Sequence, residues 1–410
     1  MSDTALFTPF RGEHYADPAS LERRLAPPYD VIGPAERERL AARDDANIVR
    51  VDLPVAPEGE DPYRLAARLL GEWRARGLVV RDGSPSAYVL RTTSTLEGGA
   101  TRRRTGAFLA LAAEPFGRGR VKPHEQTHKG PKEDRRRLTH ATATNLSPIF
   151  VLAPDEDGRL AALLAEVVAQ APWARARAAD ADHEIWLVSG AAAGRIADAA
   201  SAASVYIADG HHRYETAVTI RSEAPEEWRA GARRTLAHVV SFKDHGLEIL
   251  PTHRIVPGAP APREAVIERA VTRWFERCDA SRAVLTLVCA DGAEVPLAPQ
   301  PQRDLSKVPG LPGPWAWGLP SWMCDNLLVG VCAADLVGAA PAFRYTASAA
   351  EARSAAREPG VAFTVLLRAT TLEEVKTISD LGQVMPPKST FFAPKVPTGV
   401  VLRPLGGESA

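Results

Sequence analysis

Between Ala208 and Ala217 the chain reads ADGHHRYETA. An aspartate, two histidines and an arginine crowd around one glycine. Gly210 lets the backbone turn sharply with a positive φ. The residues after it open a helix, whose first N–H groups have no partners within the helix and attract anions. Arg213 adds a planar fork of donors suited to a phosphate or carboxylate. This turn is the expected active centre.

Two elements must position it. SAASVYI (Ser201 to Ile207) reads as a buried strand, and RYETAVTIRSEA (Arg213 to Ala224) as a helix with Ala217, Val218 and Ile220 on one face. A second polar concentration lies at Val121 to Phe150, where His124, Glu125, Thr127, His128, Lys129, Lys132, Asp134 and Arg135 surround Gly130-Pro131. Pro131 suits a helix start, and Lys132, Arg135 and Arg136 can then face a polyanion. His124 and His128 have a spacing seen among zinc ligands, which His211 or Asp209 can complete. An ordinary solvated connection is the alternative, although this mixture of charges is unlike a plain charge run. Pro27-Pro28 forces an extended backbone and presents Tyr29 and Asp30. Asp30 serves there as a ligand or base, or merely caps the next helix.

The remaining elements follow from pattern. A short helix follows Gly33-Pro34. NIVRVDLP (Asn47 to Pro54) reads as a strand, and Asp61 to Val80 as an amphipathic helix capped by Asp61 and stopped by Gly77. A hairpin turns at Glu97-Gly98-Gly99, with Arg102 to Arg104 as a solvated strand end. Asp155 to Gln170 is a helix, His183 to Gly190 a strand, and TLAHVVSF (from Thr235) a central strand joined around Asp244-His245-Gly246 to the next. Beyond it come a helix, a hairpin at Asp291-Gly292, a loop from Gln300 to Leu319, and two strand–helix pairs. Lys388, Ser389, Thr390 and Lys395 end the chain among prolines and phenylalanines.

The 410 residues exceed one ordinary core, so at least two lobes are expected. Lys+Arg and Asp+Glu are 50 each, and a net charge of +0 offers no global field for nucleic acid or an anionic membrane. Four cysteines without CxxC spacing read as reduced thiols. The opening MSDTALFTPF is unlike a signal peptide, and no apolar run approaches membrane-spanning length. A soluble, cytoplasmic protein is expected.

The segments PPYDVI, NIVRVDLP, EQTHKGPKEDR, NLSPIF, ADGHHRYETA, PTHR and MPPKSTFFAPKVPTG, in this order, resemble a family of bacterial and archaeal proteins catalogued as a domain of unknown function. Asp-Gly-His-His-Arg in turn resembles the motif of the free L-serine kinases, members of the ParB/sulfiredoxin-like superfamily. In that superfamily the same strand–turn–helix holds nucleotide phosphates. The resemblance implies an ATP- or ADP-dependent kinase. Its phosphates would lie on Asp209, Gly210, His211, His212 and Arg213, with Lys129, Lys132, Arg135 and Lys388 adding positive charge. Asp209 would hold Mg2+, and His211 and His212 would orient phosphate oxygens or protonate the leaving group. Glu125 or Asp30 would accept the serine hydroxyl proton, with Glu125 preferred.

The expected fold is α+β, a mixed sheet with flanking helices: a motif-bearing core over 1–256, ParB/sulfiredoxin-like in part, and an appended α+β lobe over 257–410. The closing MPPKSTFFAPK is expected to fold back on the core. Competing with the kinase are a regulatory nucleotide-binding or DNA-associated protein, and a metal-dependent hydrolase or nuclease built on His124, His128 and the histidine pair.

Overall fold

The computed structural model describes residues 5–95, 99–117, 119–125, 129–260, 262–301, 304–338 and 341–407. The chain divides into two compact units, one of 1–123, 127–247 and 394–410, the other of 124–126 and 248–393. The division falls after Leu247 rather than at Val256. The reason is the strand His253–Pro257, which pairs within the second unit's sheet.

The first unit is built on a nine-stranded mixed sheet. Its strands are β1 (Phe7–Thr8), β2 (Ser86–Thr95), β3 (Thr101–Ala112), β4 (Val121–Lys122), β5 (Ile149–Ala153), β6 (Ala174–Ala178), β7 (Ala181–Ser189), β8 (Val205–Asp209) and β9 (Arg234–Ser241). The order is β4-β8-β5-β9-β3-β2-β7-β6, with β1 also on β3. β4–β8 and β5–β9 are parallel and the other pairs antiparallel. β9 is central, as expected from the apolar Leu236, Ala237, Val239 and Val240 it buries. Helices α1 (Pro34–Arg43), α2 (Pro62–Ala75), α3 (Lys129–Thr142), α4 (Arg159–Val168), α5 (Gly190–Ala200) and α6 (His211–Glu223) complete this unit's main framework.

One sheet face forms the principal core. Val89, Ala107, Leu109, Val151, Ile207 and Val239 pack there with Leu160 and Leu164 of α4 and Ala193, Ile196 and Ala197 of α5. The opposite face is also buried but carries polar groups, among them Thr92, Arg104, His183 and His238. Arg104 is therefore no solvated strand end. Only 1% of it is exposed, its guanidinium lies 4.7 Å from the Phe150 ring centroid, and burial pushes its pKa down to about 10.

α2 starts where expected, with the Asp61 carboxylate accepting from the N–H groups of Tyr63 and Arg64. The segment from Asn47 to Pro54 is a helical turn (Val49–Asp52), not a strand. The Asn47 side chain accepts from the Val49 N–H at 3.0 Å and donates to the Arg23 carbonyl at 2.7 Å, which overrides the β preference of Ile48, Val49 and Val51.

The second unit holds a six-stranded antiparallel sheet. It comprises β10 (His253–Pro257), β11 (Phe275–Arg277), β12 (Leu285–Val288), β13 (Glu294–Pro299), β14 (Arg344–Thr346) and β15 (Val361–Leu367), in the order β11-β13-β12-β15-β10-β14. Helices α7 (Arg263–Arg273), α8 (Ala349–Ala355) and α9 (Leu372–Asp380) accompany it. An unexpected wide helical stretch, Met323–Cys332, buries Leu327, Leu328 and Val329. Among the described residues, no helix is long and apolar enough to cross a membrane.

Candidate functional site

The expected strand–turn–helix is present: β8 ends at Asp209, Gly210 adopts φ 90° and ψ 30°, and α6 begins at His211. β8 carries an irregularity that matters for the chemistry. Tyr206 lies opposite Leu152, Ile207 opposite Val151, and Asp209, not Ala208, opposite Phe150. The extra residue re-aims the strand end, so Asp209 falls in register with Phe150 and, across β5, with His238.

Both Asp209 oxygens are engaged. Oδ2 accepts from Arg213 Nη2 at 2.6 Å and Oδ1 from Lys395 Nζ at 2.5 Å. Burial pushes this carboxyl up, but Lys395 and Arg213 outweigh it and hold it well below the usual carboxylate range. Arg213 Nη1 also donates to the Pro148 carbonyl. α6 has no side-chain N-cap and no acid in its first turn, which holds His211, His212 and Arg213 instead. Placing the Arg213 cation at the positive end of a helix runs against the macrodipole preference. The arrangement concentrates positive potential, with Asp209 as its internal counter-charge.

A second layer extends from Arg213. The Arg135 guanidinium lies 3.9 Å from the Tyr29 ring centroid, and that of Arg213 lies 6.0 Å from the same ring. Arg135 Nη1 donates to the Asp52 carbonyl at 2.7 Å and to its carboxylate at 3.2 Å. The other Asp52 oxygen accepts from the Ser147 hydroxyl at 2.7 Å, and Ser147 lies 3.3 Å from the Thr398 hydroxyl. Burial raises the Asp52 pKa against the opposing pull of Arg135 and Ser147. A cavity of about 40 Å³ lies here, bordered by Asp52, Arg135, Ser147 and Arg213 and by apolar Leu138 and Ile220. It has room for ordered water.

Separate motifs thus converge within the first unit. PPYDVI supplies Tyr29 and Asp30, NIVRVDLP supplies Asp52, and KEDR supplies Asp134 and Arg135. NLSPIF brings Ser147 and Pro148, and the closing APKVPTG brings Lys395 and Thr398. Asp30 is exposed, in the turn Tyr29–Val31. His211 is buried and His212 partly so.

Other expected residues stand differently. Arg135 is only 5% exposed, and its guanidinium is held by Asp52, Asp134 and Tyr29, which makes it internal framework rather than a surface phosphate clamp. Lys132 pairs with Glu215 at 2.9 Å. Lys129 opens α3, while Thr127 and His128 lie outside the described residues. His124, Glu125 and Lys388 belong to the second unit. There His124 Nε2 lies 3.0 Å from the Thr390 hydroxyl, and Glu125 bridges to Met385. Lys388 is exposed at φ 58°. Arg254 of PTHR, paired with Asp325 through two contacts of 3.0 Å, donates to the Pro387 and Lys388 carbonyls at 3.4 and 2.8 Å. PTHR and MPPKST therefore meet in that unit.

Two residues acquire an importance that sequence reasoning missed, Asp52 and Arg104, while Lys395, one of the closing lysines, pairs with Asp209. Only Lys395 left a signal, a lysine in a stiff, otherwise apolar segment between Pro394 and Pro397.

The Mg2+ expectation at Asp209 fails on geometry. Asp209 does not fit as a Mg2+ ligand, because an ammonium and a guanidinium occupy both its oxygens and would repel a dication. Among the described residues, no three His, Cys, Asp or Glu side chains gather to hold a metal ion, and His128 of the expected zinc set lies outside them.

A family described as "Protein of unknown function (DUF1015)" matches residues 7–313. No curated protein matches the chain. Solved structures similar to it include a free serine kinase in complex with AMP, at 14% identity and TM-score 0.35, covering 70% of this chain and 87% of that one. A conserved hypothetical protein from Pyrococcus furiosus is 14% identical at TM-score 0.37, covering 72% and 95%. SbnI with a C-terminal truncation, from Staphylococcus aureus, is 11% identical at TM-score 0.40, covering 73% and 87%.

Proposed function

The chain belongs to the DUF1015 family, and from that premise we propose that it is a nucleotide-dependent phosphotransferase acting on the hydroxyl of a small molecule, free L-serine. One observation carries the reading: a helix opening on a left-handed glycine with His211, His212 and Arg213 in its first turn, no acid among them, and Lys395 alongside. Two cations, Arg213 and Lys395, beside two imidazoles at a helix N-terminus suit a phosphate chain. The resemblance of Asp-Gly-His-His-Arg to the free L-serine kinases supports the choice of acceptor.

The first backbone N–H groups of α6 and the Arg213 guanidinium receive phosphate oxygens of ATP or ADP. Asp209 fixes Arg213 and Lys395 so that neither must reorganise as charge develops. The acceptor oxygen attacks the terminal phosphorus, the bond from that phosphorus to its bridging oxygen breaks, and the hydroxyl proton passes to a carboxylate. Asp30 takes that proton, since it adjoins the Arg135–Tyr29–Arg213 layer; Glu125 is the other candidate. His212 orients the leaving phosphate. None of the four cysteines forms a disulfide, and a cytoplasmic setting suits reduced thiols.

The test is incubation of the pure protein with ATP or ADP, a divalent cation and L-serine, followed by detection of O-phosphoserine. Product that disappears in Arg213→Met supports the reading. Absence of product with either nucleotide overturns the serine assignment. Nucleotide binding without turnover on any hydroxyl acceptor replaces the kinase with a regulatory nucleotide-binding protein.

A further inference from the structure

The turn carrying Asp30 is thinly anchored. Val31 is 46% exposed, and Asp30, Gly33 and Pro34 are exposed as well, which leaves Tyr29 and Ile32 as the partly buried side chains of 29–34. The turn closes on two backbone bonds, Val31 N–H to the Pro28 carbonyl at 3.2 Å and Ile32 N–H to the Tyr29 carbonyl at 3.3 Å. Among the described residues it is attached through the Tyr29 ring, within reach of two guanidiniums that are both fixed from behind. Arg135 is held by Asp52 and Asp134, and Arg213 by Asp209 and the Pro148 carbonyl. Burial raises the phenol pKa, so both cations meet a neutral ring.

We propose that Tyr29 is a positioning residue: its ring, held by Arg135 and Arg213, keeps the Asp30 turn in register with the Gly210 turn. The ring acts through its π-face, so the hydroxyl is dispensable. This role rests on the phosphotransferase reading, in which Asp30 must approach the acceptor while Arg213 holds the phosphate. Moving the turn would spoil transfer without spoiling nucleotide binding.

The experiment compares Tyr29→Phe and Tyr29→Leu in the full chain by hydrogen exchange over 27–33, by calorimetric titration with ADP and ATP, and by turnover. Losing a desolvated cation–π contact raises exchange in this segment by about tenfold in Tyr29→Leu and lowers kcat by at least about as much. Nucleotide Kd then changes by less than about threefold, and Tyr29→Phe stays within about twofold of the parent throughout. If the leucine variant does not fold, Tyr29→Met is read in its place. Unchanged exchange in the leucine variant overturns the proposal, as does a phenylalanine variant equally impaired. If the parent protein never turns over, the phosphotransferase reading falls, while hydrogen exchange still decides whether Tyr29 anchors the turn.

Discussion

Replacing Lys395 with Met removes one of the two cations on Asp209 and leaves a carboxylate that is only 16% exposed with Arg213 alone. An ammonium and a carboxylate in contact attract by about 4 kcal/mol at an effective dielectric of about 20. Relief of the ammonium's desolvation returns part of this, while breaking a buried pair generally costs about 3–5 kcal/mol. With Arg213 still in place, the expected loss is about 2–3 kcal/mol at pH 7, or about 1 M in the urea midpoint of the first unit. The pH dependence gives a second check. The folded Asp209 pKa lies below its unfolded value, so its stabilisation is fully present above about pH 4 and is lost as pH falls through the folded value. Lys395→Met raises that folded value, so its deficit is largest near neutrality and shrinks as the pH drops below about 4. Urea titrations of both proteins from neutral to acid pH measure this. An unchanged midpoint at pH 7, or a deficit that persists undiminished in acid, would refute the assignment of Lys395 as the partner of Asp209.

Three other outcomes are expected. Gly210→Ala forces a side chain into φ 90° and puts its Cβ 3.0 Å from Arg213 Nε, costing about 1–2 kcal/mol of stability and weakening nucleotide affinity at least about tenfold by calorimetry. His183, bonded to Thr92 and the Ala178 carbonyl and pushed down to about 4 by burial, must stay neutral in the folded chain. Stability should fall by about 3 kcal/mol through this group as pH drops from about 6.5 to 4, and His183→Gln should flatten that slope in acid-denaturation curves. Arg254→Met leaves Asp325 unpaired beside three released carbonyls, of Thr252, Pro387 and Lys388, so urea denaturation should show the second unit weakened by about 3 kcal/mol.

Elements governed by neighbouring residues were legible. Asp61 caps its helix, a long hairpin runs from Ser86 to Ala112, and Gly210 turns β8 into α6. Errors arose where distant contacts prevail. Val49 and Val51 look like strand residues until the Asn47 amide caps the turn and burial favours it. Arg104 looks solvated in a run of three arginines, yet strand alternation and pairing place it on a buried face. Met323–Cys332 has no local signal that distinguishes an unusually wide helix from a loop.

The candidate site divides in the same way. Sequence alone determined that an aspartate, two histidines and an arginine share a glycine turn at the start of a helix, because four-residue geometry follows from local backbone rules. Tertiary structure alone decided which cations face Asp209 and which carboxylate lies behind Arg135. Lys395 is 186 residues from Asp209, and Asp52 is 83 from Arg135. Such pairings are set by how strands and helices pack, and no local spacing encodes them.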